Sequence, residues 1–188
     1  MKDQNFIDIT IQKGKEAKVR VEQEFSDMSP EQLNWKPSPT RWSIAECLEH
    51  LLISDSSYFA SLEKVITGTY RMSFLERYSP LTSFWGKTLT DQLQEDVKKK
   101  MKAPKKFSPT SSDKPPDFVQ DYLENLITFL DYISKCREID IDKTIITSPS
   151  IRIITYSLRD AFRFLMQHEH RHINQAIRVK YMDAFPKE

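Results

Sequence analysis

Glycine is nearly missing from this chain. Gly14, Gly68 and Gly86 are the only three among 188 residues, which excludes a Gly-rich phosphate loop, a dinucleotide-binding fingerprint and a nucleophile elbow. So few glycines also mean few tight turns, which argues against a many-stranded sheet. Cysteine is just as sparse: Cys47 and Cys136 cannot form a disulfide framework, and a reducing compartment is the simpler expectation. Neither sign of charge is in excess. Twenty-eight basic residues against 27 acidic ones leave a net charge of +1, without the basic stripe a nucleic-acid partner would need. No apolar run approaches the roughly 20 residues that cross a bilayer. The opening MKDQNFIDITIQKGKEAK has no continuous apolar core and does not read as a signal peptide. The expectation is a soluble cytoplasmic protein with neither nucleic acid nor membrane as partner. Its length suits one domain over residues 1–188.

What the chain does have is helical periodicity. Phe6, Ile9, Lys13, Ala17, Val21, Phe25 and Met28 predict a first helix over 6–28. Pro30, Pro37 and Pro39 mark the following stretch as a connection. Ser43 with Glu46 is a capping box that opens a second helix over 44–67, which Gly68 can end. Residues 69–87 suggest no single element, and their aromatic residues Tyr70, Phe74, Tyr78, Phe84 and Trp85 read as core and lid packing or as a pocket mouth. A short helix is predicted over 88–101, with the lysines of 98–106 as its solvated end. Four prolines make 102–116 an extended loop. Asp117 is expected to cap a third long helix whose face carries Phe118, Tyr122, Leu126, Phe129, Leu130 and Ile133. Residues 138–154 read as a loop with extended character around Ile145-Ile146 and 151–154. The last helix starts at Ser157, with Asp160 at its third position, and ends near Met182. Together these predict an all-α fold, a four-helix bundle of up-down type with long connections.

Three of the four histidines fall in the last helix, in HEHRHINQ. At about 100° per residue, His168 and His172 lie within about 60° of Leu165, on the stripe that also holds Leu158, Ala161, Phe162, Ala176 and Val179. His170 points about 140° away, towards solvent. Two imidazoles at i and i+4 can share a divalent cation, but they need a further ligand from elsewhere. The remaining histidine, His50, sits in AECLEHLL on the second helix, on the flank of its apolar stripe. The alternative is a pair of neutral core histidines bonded to backbone or to Glu169. That alternative requires a partner for every buried ring nitrogen, at about 1–3 kcal/mol for each one left unmet. A third inward-capable histidine therefore favours a metal. Cys47, one turn before His50, reads as a small residue packed among Ile44, Leu48 and Leu51 rather than as a ligand.

RWSIAECLEHLL followed by HEHRHINQAIRVK resembles the DinB/YfiT-like family of metal-dependent proteins. The shared pattern is a tryptophan and a Ser-capped helix with one histidine, then a final helix with HxxxH followed by xxQ. Here these are Trp42, Ser43, His50, His168, His172 and Gln175. The resemblance implies a four-helix bundle, usually dimeric, with His50, His168 and His172 holding nickel, zinc, or another divalent ion such as manganese or iron. Some relatives are thiol-dependent S-transferases or isomerases, and many have no established reaction.

Three neutral nitrogen ligands would leave the ion its full charge and an open position, the pattern of a catalytic site. Glu169 and Gln175 are placed to orient the imidazoles through their other ring nitrogens, and Glu169 could equally serve as a base or a fourth ligand. The expected partners are a small thiol, a small electrophilic substrate and a second copy of the chain. Two functions follow: a metal-dependent transferase or hydrolase, or a non-catalytic metal-binding or dimer-forming stress-related protein. No residue is singled out as catalytic, and no second motif picks a substrate.

Overall fold

The computed structural model describes residues 3–92, 105–110 and 113–187. Four long helices dominate: α1 (Gln4–Phe25), α3 (Ile44–Ile66), α6 (Phe118–Lys135) and α7 (Leu158–Lys180). α3 packs against α6 and α7, and α1 packs against the same two from its own side. The predicted apolar stripes meet in the centre. Val21 and Phe25 of α1, Leu48 and Leu51 of α3, Leu126 and Phe129 of α6, and Phe162 and Leu165 of α7 are all buried in one core. Each such side chain stabilises the fold by about 1.5–3 kcal/mol. The α1–α6 contact is close because residue 14 has no side chain: a Cβ on Gly14 would overlap Leu130.

The helix starts are chemically specified. Ser43 accepts the backbone N–H of Glu46, whose carboxylate accepts the Ser43 N–H, a reciprocal cap that fixes where α3 begins. Gly68, at φ +69°, follows α3 in the left-handed conformation that stops a helix. Ser157 caps α7 by accepting from Asp160 N–H. At Asp117 the expected cap is not made, because its backbone is itself helical (φ −80°, ψ −1°) and its side chain bonds nothing at the helix start.

The connections hold more structure than their prolines and glycines suggest. The first contains α2 (Pro30–Asn34), opened by its own Ser29–Gln32 capping box. Residues 69–87 contain α4 (Phe74–Tyr78) and the start of α5 (Thr82–Gln92), so the helix expected from 88 begins six residues earlier. Its predicted continuation, with most of the lysine run, lies outside the described residues. Phe74, Tyr78 and Phe84 are exposed, at 81%, 63% and 57%, which corrects their reading as packing residues. Before α7, β1 (Ile145–Thr147) and β2 (Thr155–Ser157) form a two-stranded antiparallel ribbon with Ile146 opposite Tyr156. The extended character expected at 151–154 falls instead on β2. Because Ser157 both ends β2 and caps α7, the ribbon sets where the histidine helix starts.

Candidate metal centre

The His50 side chain comes from the second turn of α3, and the His168 and His172 side chains from successive turns of α7. The capped start of α3 fixes the height of His50, and the Ser157 cap fixes the phase of α7. The packing of α3 on α7 then brings the three rings together. Their centroids are 4.6–4.8 Å apart, and one nitrogen from each lies within 4.8 Å of the others. His50 and His168 are buried, whereas His172 keeps some solvent contact. Trp42, just ahead of the α3 cap, covers the cluster with its ring 4.9 Å from His50 and 5.6 Å from His172. Phe164 stacks on His168 at 5.7 Å.

One hydrogen bond settles a tautomer. His50 Nδ1 lies 2.7 Å from the carbonyl oxygen of Phe107, in a short 3-10 turn over Lys105–Phe107. A carbonyl only accepts, so Nδ1 carries the proton and Nε2 presents a lone pair to the cluster. That lone pair faces His168 Nε2 at 2.9 Å. The Nδ1 atoms of His168 and His172 are buried with no hydrogen-bond partner.

All three rings are held neutral. Burial depresses the proton affinity of His50, against the opposing pull of its bond to Phe107. Burial again, then the neighbouring His172 and His50, push His168 far below the usual histidine value. His172 is lowered to about 3, first by burial and then by His50 and Arg171, while a hydrogen bond donated to Gln175 works the other way. Neutral imidazole is the ligating form.

This donor set fits a divalent cation. An ion about 2.0–2.1 Å from each of three nitrogens in tetrahedral geometry would hold them about 3.3 Å apart. The 2.9 Å contact and the 4.8 Å limit bracket that spacing. The orphaned ring nitrogens show that the cluster does not satisfy itself.

The other sequence candidates divide. Gln175 stands beside His172. The Glu169 side chain lies elsewhere: fully buried, it accepts from the Tyr122 hydroxyl and abuts Asp55. His170 does not project into open solvent but is half-buried near Lys13, Glu16 and Arg20 of α1. Cys47 is buried in the core, its thiol pushed far up by desolvation. The Phe107 carbonyl was not foreseeable, since a backbone acceptor has no side-chain signature. Asp55 and Tyr122 were missed because ISDSSY lies within the predicted second helix with nothing to mark Asp55 as inward, and Tyr122 in VQDYLEN reads as an ordinary core aromatic.

No solved structure matches this chain. It is 28% identical over 175 residues to the uncharacterized protein YuaE of Bacillus subtilis (strain 168), a likeness covering 88% of this chain and 93% of that protein. Residues 15–176 match the sequence profile of the DinB superfamily. That span takes in His50, His168 and His172, the second half of α1, all of α3 and α6 and most of α7, and the chain belongs to the DinB superfamily.

Proposed function

We propose that this protein binds one divalent metal ion, nickel or zinc, on His50, His168 and His172. We assign it transfer of a small thiol to an electrophile or hydrolysis of a small electrophilic compound. The four long helices then act as an up-down bundle that carries the site between α3 and α7. The observation that carries the reading is the convergence of three neutral, largely buried imidazoles, with one nitrogen of each within 4.8 Å of the others.

A divalent cation held here supplies Lewis acidity that activates a thiol or water at neutral pH. The chain's own residues do the rest. His50 offers Nε2 because Phe107 holds the proton on Nδ1. Trp42 and Phe164 shield the cluster from bulk water. Glu169 is committed to Tyr122 and Asp55, and among the described residues no carboxylate or thiolate joins the three nitrogens. The half-exposed side at His172 is where a substrate would enter. Both cysteines are poor nucleophiles, Cys47 fully buried and Cys136 pushed up to about 12 by burial. The reacting thiol must therefore be a separate molecule.

A non-catalytic reading draws on the His50–His168 contact, which lets two rings satisfy each other without an ion. It gives no reason for His172 to converge on the same point, and so accounts for less. The test is metal analysis of protein purified without a metal-affinity tag, beside a His168→Ala, His172→Ala double variant. About one ion per chain, lost in the variant, supports the reading and opens a screen of small thiols against electrophiles. No metal after incubation with nickel, zinc or manganese defeats it.

A further inference from the structure

Glu49 precedes His50, and a buried carboxylate beside a metal ligand invites assignment as another ligand. Its bonds run the other way. Glu49 accepts from Thr110 N–H at 3.1 Å and Thr110 Oγ1 at 2.6 Å, and pairs with Lys114 Nζ at 2.6 Å. Its side chain is only 8% exposed and that of Lys114 14%, so this is no solvent-screened surface pair. Lys114 is fixed again through its backbone, whose N–H and C=O each bond the Asn34 side chain at 2.8 Å. Three residues before Thr110 stands Phe107, with its side chain buried and its carbonyl on His50 Nδ1. Two consecutive residues of α3 thus grip one strap of chain, Glu49 at Thr110 and His50 at Phe107.

We infer that Glu49 is a positioning residue for the histidine centre: by anchoring Thr110 and Lys114 it holds the Phe107 carbonyl against His50 Nδ1, and so keeps the His50 Nε2 lone pair aimed at His168 and His172. The inference rests on the proposed metal site for its purpose, but the device itself is visible in metal-free protein. A carbonyl tethered only by chain connectivity would drift, and the ring could take either tautomer. The Nε2–H form would turn a donor, not a lone pair, into the site. Partners that orient metal-ligating imidazoles are worth about 10–100-fold in metal affinity.

The test pairs imidazole 15N chemical shifts of His50 in metal-free protein with zinc titration, for wild type, Glu49→Gln and Glu49→Ala. Wild type is expected to show the Nδ1–H tautomer. Glu49→Ala should give a mixed or Nε2–H signature and about 10–100-fold weaker zinc binding at unchanged stoichiometry. Glu49→Gln retains one acceptor and should fall between. Should Glu49→Ala not fold, Thr110→Val, which removes only the hydroxyl bond, and Lys114→Met give the graded series. A tautomer and an affinity within twofold of wild type in the folded variants overturn the inference, even if thermal stability drops. If wild type binds no zinc, the function proposed above fails. The tautomer measurement then still decides the positioning role: a shifted signature in Glu49→Ala upholds it and an unchanged one rejects it.

Discussion

His168 and Glu169 are neighbours in sequence, yet they belong to two buried polar clusters of opposite construction. Successive residues of a helix point about 100° apart, so α7 presents His168 to His50 and Glu169 to Tyr122 and Asp55. The first cluster is made of bases that have lost their protons. The second is made of acids that have kept one. Burial raises Asp55 well above the usual carboxylate range, with Glu169 beside it adding to the effect. Glu169 is itself raised to about 7 by burial, against hydrogen bonds from Tyr122 and Asp55. Two carboxylates are both acceptors and cannot bond each other, but one proton between them supplies the missing donor. That proton pairs one oxygen of each acid, Tyr122 donates to the other Glu169 oxygen, and one Asp55 oxygen is left over. The base cluster has one outer acceptor at Phe107, Gln175 beside His172, and two ring nitrogens left over. The acids are held to each other by a shared proton, whereas the neutral bases turn one nitrogen each towards a common point, which is what a ligand site needs.

The sharpest way to break this contrast is to exchange the two neighbours' roles in a binding experiment. His168→Gln should weaken zinc binding by at least about 100-fold, because a ligand is lost. Glu169→Gln, which keeps shape and hydrogen-bonding capacity, should change it by less than about tenfold. Trp42 lies 4.9 Å from the His50 ring, so its fluorescence can report the titration. Equal losses from both substitutions would merge the clusters into one site and make Glu169 part of the metal centre.

The contrast also predicts a two-sided pH dependence of stability in metal-free protein. His172 falls from 6.5 to about 3 on folding. Between those values the unfolded chain binds more protons, so stability is full above about 6.5 and is lost as pH falls towards 3. Glu169 rises from 4.5 to about 7, and the sign reverses: its contribution is full below about 4.5 and is lost as pH rises through 7. Each tenfold change in proton affinity is worth about 1.4 kcal/mol. Urea midpoints across this range should show His172→Gln flattening the acid limb and Glu169→Gln the alkaline one. If either substitution leaves its limb intact, the titrating group has been assigned to the wrong cluster.

How much of this was legible follows from the same chemistry. The histidine cluster could be read because HxxxH sits on the 3.6-residue apolar period, and because Ser43 and Ser157 announce where their helices start. The acid cluster could not, because Asp55 lies amid serines and its burial depends on where Tyr122 and Glu169 arrive from two other helices. His170 misled for a related reason: helical phase gives the direction of a side chain but not whether α1 stands there to cover it. The α2 turn and the Lys105–Phe107 turn lie inside proline-rich stretches, where proline marks a break in long helices without excluding one turn of a short one.

Tyr122→Phe tests the outer donor of the acid cluster directly. The hydroxyl is the outer donor to Glu169, and its removal leaves a buried carboxyl oxygen unmet. The expected cost is about 1–3 kcal/mol, with zinc affinity unchanged within about twofold. A stability loss accompanied by a large affinity loss would mean that Glu169, once released, disturbs its neighbour His168, and that the two clusters are mechanically coupled.

The smallest effect separates two tyrosines at the edge of the same cluster. Tyr58 and Tyr156 share a hydroxyl–hydroxyl bond of 2.5 Å, but their surroundings differ. Tyr156 has a second hydrogen bond with Ser148, whereas Tyr58 stands near the Asp55 carboxyl, which disfavours its ionisation. Removing the Tyr58 hydroxyl therefore leaves Tyr156 still partnered, and Tyr58→Phe should cost about 0.5–1.5 kcal/mol, the net worth of one hydrogen bond. Tyr156→Phe strands the Tyr58 hydroxyl and should cost more, towards the 1–3 kcal/mol or so of an unmet buried group. Chemical denaturation of the two single variants and the double variant resolves this. If Tyr58→Phe proves the costlier change, Tyr58 is a true donor to Asp55, and the acid cluster extends from α7 through Asp55 to the β2 ribbon as one continuous network.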